Sequence, residues 1–187
     1  RDHAAASALV TMLSDKNARV QSFAAIALGR IKSPAALPEL LRLLEENDNK
    51  DVYLRHALVM GLAGCGDAKS LAALSHNHLA RVRADSIRAV YDLPLVEAMP
   101  SLIAQLSKPI DDTIAEPIRR LLYLRLVYAA HRYGDESAAK SLVEFAADQS
   151  APVDVRAVAL KAIENWEKPS WIDPVLGYQR KALRRDH

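Results

Sequence analysis

Apolar positions along the chain recur at helical spacing in two alternating kinds of segment. Leu37, Leu40, Leu41 and Leu44 stand at i, i+3, i+4 and i+7, and Met99, Leu102, Ile103 and Leu106 repeat that spacing. Each set draws one apolar stripe along a helix. A second kind of segment begins at Val20 (VQSFAAIALG) and returns at Leu54 (LRHALVMGLA), Val82 (VRADSIRAVY), Leu124 (LRLVYAAHRY) and Val155 (VRAVALKAIE). Its packing positions are small, as in Ala24, Ala27 and Leu28 or Ala159, Ala162 and Ile163. Small side chains let neighbouring helices approach closely. ALPELLRLL from Ala36 and AMPSLIAQL from Ala98 match 62 residues apart, and Val20 and Val82 are separated by the same 62. Successive gaps in the second family are 34, 28, 42 and 31 residues, which fits helical pairs joined by unequal loops rather than a strict heptad.

Each period therefore holds a first and a second amphipathic helix, and one such pair cannot bury both of its apolar faces alone. Stacking against the next pair supplies the missing core. The pattern predicts an all-α fold, an α-solenoid wound as a right-handed superhelix of about five helical hairpins. The repeats are expected at about 4–32, 33–65, 66–93, 94–133 and 134–166, giving a solenoid over 1–166 and an extended C-terminal cap or linker over 167–187. Ser33 reads as an N-cap with Pro34 opening the helix after it. Pro38 and Pro100 fall inside the first-helix pattern and should kink or restart it. Gly29, Gly64, Gly66 and Gly134 lie near the ends of second helices, where a left-handed residue is expected.

Composition narrows the class further. Half of the 187 residues are hydrophobic but only 5% are aromatic, so the apolar half is mostly Ala, Leu, Val and Ile. With 26% charged residues this is the balance of a folded helical chain, not a disordered one. A net charge of +2 is too mild to argue for nucleic acid or an anionic membrane. The single Cys65 excludes an internal disulfide framework and any all-cysteine metal site. No run approaches the length of a transmembrane helix, and no signal-peptide pattern opens the chain. The first residue is Arg1 rather than Met, which predicts a fragment or processed product.

ALPELL followed by a loop and V-R-x-x-A-x-x-A-[LIV] resembles the HEAT repeat, particularly the short bacterial kind shared with phycobilisome-lyase-like proteins. The resemblance covers roughly nine-tenths of the chain, and it implies a helical solenoid used as a protein-binding scaffold. The tail, NWEKPSWIDPVLGYQRKALRRDH from Asn165, is similar to a different pattern. Trp166, Pro169, Asp173, Pro174, Val175, Gly177 and Arg180 resemble the W-x-x-P…D-P-V-x-G-x-x-R element that closes the HEAT region of large bacterial haem-binding, membrane-bound-dehydrogenase-like proteins. That resemblance implies a propeller before this segment, a cytochrome c domain after it, and a periplasmic or extracytoplasmic location. The C-x-x-C-H haem motif is absent, so the resemblance places neither haem nor a dehydrogenase site in this chain.

Several constellations carry candidate chemistry. The residue after each second-helix Val or Leu is Gln21, Arg55, Arg83, Arg125 or Arg156, and stacking would align these as a ladder. Guanidinium groups in a row suit an acidic partner or phosphates. The plainer reading is that each bonds an acidic residue or loop carbonyl and holds the repeats in register. About eight extra residues separate Leu106 from Leu124, around Lys108, Asp111 and Asp112 and running to Arg119 and Arg120. They form either a rim loop for a partner or a longer second helix N-capped by Asp111 or Asp112. Trp166 and Trp171 form either a cap over the last repeat or a docking patch for a neighbouring domain.

The remaining polar features favour bland readings. His76-Asn77-His78 offers two imidazoles but lacks further ligands at metal-site spacing. Cys65 has no local basic cluster to lower its pKa, and Glu45, Glu46, Asp48 and Asp51 lack calcium-loop spacing. No phosphate loop, nucleophile elbow or H-E-x-x-H is present. The expected function is a non-catalytic protein-interaction or spacer module, without cofactor, in a larger bacterial protein. The alternatives are a HEAT-like DNA-binding protein or DNA glycosylase, which would need Trp and Asp on the second helices, and a bilin-lyase-like chromophore-binding protein.

Overall fold

The computed structural model describes residues 5–74, 77, 79–92 and 95–181, with the side chain of Ala68 left aside. His76 and His78 of the H-x-H, together with Leu93 and Pro94 at an expected repeat boundary, lie outside the described residues. The described residues form ten α-helices: α1 Ala6–Met12, α2 Ala18–Ile31, α3 Leu37–Asn47, α4 Val52–Cys65, α5 Ala68–Leu74, α6 Ala80–Asp92, α7 Met99–Ile103, α8 Glu116–Tyr133, α9 Glu136–Ala147 and α10 Val153–Glu164. The fold is all-α and fits a helical solenoid, as the apolar periodicity requires. The chain divides into two compact units, Arg1–Ala89 and Val90–His187, the division falling within α6.

In the first unit the helix starts are set by local side chains. Asn17 caps α2 by accepting a hydrogen bond from the Arg19 amide at 2.9 Å. Asp51 caps α4 by accepting from the amides of Tyr53 and Leu54 at 2.8 and 3.0 Å. Each cap satisfies amides that have no partner inside the helix. Pro34 opens a single 3-10 turn, Pro34–Ala36, and Pro38 then occupies the first turn of α3. In the second unit Val96–Ala98 precedes α7 and Pro100 in the same way. Both inner prolines thus restart the helix rather than kink it, since a first-turn residue donates no helical hydrogen bond.

The core follows the apolar stripes with small shifts of face. Leu40, Leu43 and Leu44 of α3 are buried, as are Ala24, Ala25 and Leu28 of α2, where the periodicity pointed to Ala27 in place of Ala25. Three of the four glycines expected at helix ends serve other purposes. α2 runs on through Gly29, and Lys32 takes the left-handed position after it with φ 56°. α4 likewise runs through Gly64 to Cys65, and Gly66 is extended. Gly29 and Gly64 instead meet where α2 crosses α4. A Cβ on Gly64 would stand 2.4 Å from the Gly29 carbonyl oxygen and 2.6 Å from its Cα. Only hydrogen leaves room for two backbones so close. Gly134 alone behaves as expected, closing α8 with φ 78°.

In the second unit α8 is the longest described helix, at 18 residues. Val20, Leu54, Val82 and Val155 each stand third in their helices, whereas Leu124 stands ninth. Most of the extra length before Leu124 is therefore helix. Asp111 and Asp112 do not cap it, because the N-cap is Ala115 and uses no side chain. Asp111 instead closes a turn, accepting from the Thr113 amide at 3.0 Å and the Thr113 hydroxyl at 2.6 Å. Leu122, Leu126 and Val127 of α8 are buried, with Met99 and Leu102 of α7, Leu142 and Phe145 of α9, and Val155 and Ala159 of α10.

Candidate functional site

After α10 the chain turns through Asn165–Lys168, with the Trp166 amide donating to the Ile163 carbonyl at 3.0 Å, and the tail comes back to α8. It closes a short loop with one antiparallel bridge between Ile172 and Gln179. Gly177, at φ +73°, supplies the left-handed corner that the loop requires. Asp173 organises the loop from inside. Its amide donates to the Tyr178 carbonyl at 2.9 Å, its carbonyl accepts from the Gly177 amide at 2.8 Å, and its Oδ1 accepts from the amides of Val175 and Leu176 at 2.9 and 3.0 Å.

The second carboxylate oxygen anchors the loop to the helices. Asp173 is fully buried, and its Oδ2 accepts from the Tyr91 hydroxyl at 2.7 Å and from Arg180 Nη1 at 3.1 Å, with Arg132 Nε 3.9 Å away. Arg132, at the end of α8, donates to the tail carbonyls of Ser170 at 3.2 Å and Lys181 at 2.8 Å, and also to that of Arg180. Arg180 in turn donates to the Tyr91 carbonyl at 2.7 Å, and its guanidinium lies 4.9 Å from the centre of the Tyr91 ring. Two guanidiniums, one carboxylate and one neutral phenol thus share a buried site, with one positive charge in excess.

Burial governs the proton affinities here. Desolvation first, and the Asp173 charge second, push the Tyr91 phenol far above its ordinary range, so it remains a neutral donor. Desolvation lowers the Arg132 pKa, and Asp173 opposes that fall. Taking ions out of water costs several kcal/mol each unless good geometry repays it. The hydrogen bonds above are that repayment, and they are spent on holding the tail rather than on a substrate-facing group.

Sequence reading picked out Trp166 and Trp171 in this segment, and the structure separates them. Trp166 is half-buried and its ring packs at 5.8 Å on that of His131, whose Nε2 lies 3.1 Å from the Asn165 carbonyl oxygen. Trp171 is 72% exposed, and Ile172 and Tyr178 are exposed as well. Trp171→Ala should therefore leave a urea melt within about 0.5 kcal/mol of the parent. Trp166→Ala should lose about 1–3 kcal/mol. The reverse order of effects would show that the wrong indole has been given the packing role. Tyr91 and Arg132 escaped the sequence reading altogether, although a cation inside the apolar run VYAAHRYG was a visible signal.

The arginine positions are each tied to their surroundings. Gln21 donates to the Asp15 carbonyl at 2.8 Å, Arg83 to the Asn77 carbonyl at 2.8 Å, and Arg55 to the Asn49 side chain. All three partners lie six residues earlier, in the loop that leads into the same helix. Arg125 reaches Asp92 at 3.0 Å, and Arg156 donates to the Ala146 carbonyl at 2.9 Å. Arg55 also stands 3.9 Å from the buried Asp85, which pairs with Arg88. Burial raises the Asp85 pKa against the pull of those two arginines.

Among the residues around the longer loop, Arg120 pairs with Asp154 at 2.6 Å on the surface, where such a pair contributes little. The Ile110 amide in the same stretch donates to the Tyr123 hydroxyl at 2.9 Å. Cys65 is buried, and burial raises its thiol pKa. In the acidic loop Glu46 pairs with Arg42, Asp48 with Arg81, and Glu45 accepts from Asn77 at 3.1 Å. Among the described residues no three His, Cys, Asp or Glu side chains gather where they could hold a metal ion, and no helix is long and apolar enough to cross a membrane.

No curated protein and no solved structure matches the chain. Residues 1–53 match the family model of HEAT repeats, and together with the all-α fold this match supports a HEAT-repeat protein.

Proposed function

We propose that the chain is a non-catalytic protein-interaction or scaffold module. HEAT repeats generally mediate protein–protein interaction or scaffolding. The observation that carries the reading is the outward display of large aromatic side chains on second helices, with Phe23 of α2 62% exposed and Tyr53 of α4 83% exposed. Exposed aromatic anchors are costly in water and are the residue type on which interface energy concentrates. The buried ionisable groups Asp85, Tyr91 and Arg132, in contrast, are occupied, the first by Arg88 and the other two by the tail. A photo-crosslinking residue in place of Tyr53, introduced in the native host, should yield a discrete protein adduct. The same residue in place of the exposed Lys140 should not. Equal labelling from both positions, or none from Tyr53, would overturn the reading.

The module is further read as one segment of a larger bacterial protein with haem and dehydrogenase-like domains elsewhere. Support comes from the tail, where Asp173, Gly177 and Arg180 of the resembling pattern all serve one lock. A reading frame that continues into a C-x-x-C-H would agree with this, and a neighbouring frame without one would refute it.

A further inference from the structure

The tail does more than close the unit, because it leaves a cavity of about 270 Å³ between itself, α8 and α10. The titratable groups lining it are Tyr128, His131 and Arg132 from α8, Lys161 from α10 and Lys168 from the turn, with no carboxylate among them. Arg132 and His131 are already engaged, the first with tail carbonyls and the second beside the Asn165 carbonyl. Neither Lys161 nor Lys168 has an ion pair among the described residues, and the Tyr128 hydroxyl has no hydrogen-bond partner there. Burial first, and the nearby Asp173 charge second, raise the Tyr128 pKa, so the hydroxyl is kept protonated and able to donate. Behind the cavity the Asp173 carboxylate faces two guanidiniums, which leaves an excess of positive charge. Val158 and Ala162 add an apolar wall.

A cationic lining without a carboxylate, in a partly enclosed site with one greasy side, fits an anion that carries an apolar body. We propose that this cavity binds a carboxylate-bearing ligand, its oxygens held by the Tyr128 hydroxyl and the Lys161 and Lys168 ammoniums and its body set against Val158 and Ala162. The site is independent of the exposed aromatics on α2 and α4, so failure of either idea leaves the other standing. The carboxylate could come from a free small acid or from the C-terminus of a peptide.

Phenylacetate, its neutral analogue phenylacetamide and a short peptide ending in phenylalanine serve as probes, titrated into the ¹⁵N-labelled full chain. Saturable amide shifts at Ala162, Asn165 and Ser170 with the acid, and none with the amide, are expected. Tyr128→Phe and Lys161→Gln should each weaken the acid by about tenfold, with the amide spectrum elsewhere unchanged to confirm folding. Tighter binding of the peptide than of phenylacetate would identify a protein terminus as the source, and the converse a small metabolite. The proposal falls if the acid and amide behave alike, if both substitutions leave the affinity unchanged, or if both acids bind more weakly than about 10 mM.

Discussion

Asp173→Ala should cost the second unit about 3–5 kcal/mol, the figure for removing one partner from a buried ion pair. The loss exceeds that of a surface charge because the carboxylate answers four groups at once. Its Oδ1 holds the amides of Val175 and Leu176, and its Oδ2 holds the Tyr91 hydroxyl and Arg180. Without it Arg132 and Arg180 keep their charges in a buried site with no carboxylate to answer them, and the tail loses the loop that Asp173 organises. Protease cleavage after residues of the tail should accelerate along with the drop in the urea midpoint. Asp173→Asn separates shape from charge, since the amide oxygen can still accept from the loop while the charge is gone. An unchanged midpoint in both variants would refute the lock. Alkali offers an independent check through Tyr91. Its pKa is raised in the folded state by burial first and by Asp173 second, so its contribution is held below the ordinary phenol value of about 10 and is lost as pH climbs beyond it.

Gly64→Ala is expected to destabilise the first unit by about 3 kcal/mol or more, at the upper end of the range for overpacking. The new methyl would lie 2.4–2.7 Å from backbone atoms of Gly29, and backbone cannot rotate aside as a side chain can. α2 and α4 would have to separate, drawing Ala25 away from Gly61 in the process. Gly177→Ala provides the contrast. Nothing stands within 4 Å of a Cβ there, so its cost is only the left-handed backbone at φ +73°, about 1–2 kcal/mol. Two Gly→Ala changes on one chain therefore test two different physical causes. A guanidinium titration in which Gly64→Ala proves no worse than Gly177→Ala would refute the close helix crossing.

The arginine positions show how far local reading reaches. Gln21, Arg55 and Arg83 find their partners six residues earlier, a distance within reach of a helix start folding back on its own loop. Such contacts depend on short stretches of chain, and the regular Val/Leu-Arg pattern makes them visible. Arg125 and Arg156 depart from the rule: α8 begins six residues earlier relative to Leu124 and the Arg125 guanidinium turns to Asp92, while Arg156 reaches back ten residues to the Ala146 carbonyl. Asp111 shows the opposite failure. Its side chain suits an N-cap or an Asx turn equally, and where the helix actually starts decides between them.

By itself the sequence determined the all-α class and, to within small shifts of face, the apolar stripes, because 3.6-residue periodicity, capping side chains and first-turn prolines act within a few residues of one another. It also displayed the tail residues Asp173, Gly177 and Arg180 as a pattern, without a reason for them. Only the tertiary structure decided that Gly29 and Gly64 are contact points between helices and that Asp173 is met by Tyr91 and Arg132. It was likewise needed to send Trp166 inward and Trp171 outward. The partners in these contacts lie about 35 to 82 residues apart, and a side chain's burial or charge environment comes from whatever the fold brings beside it.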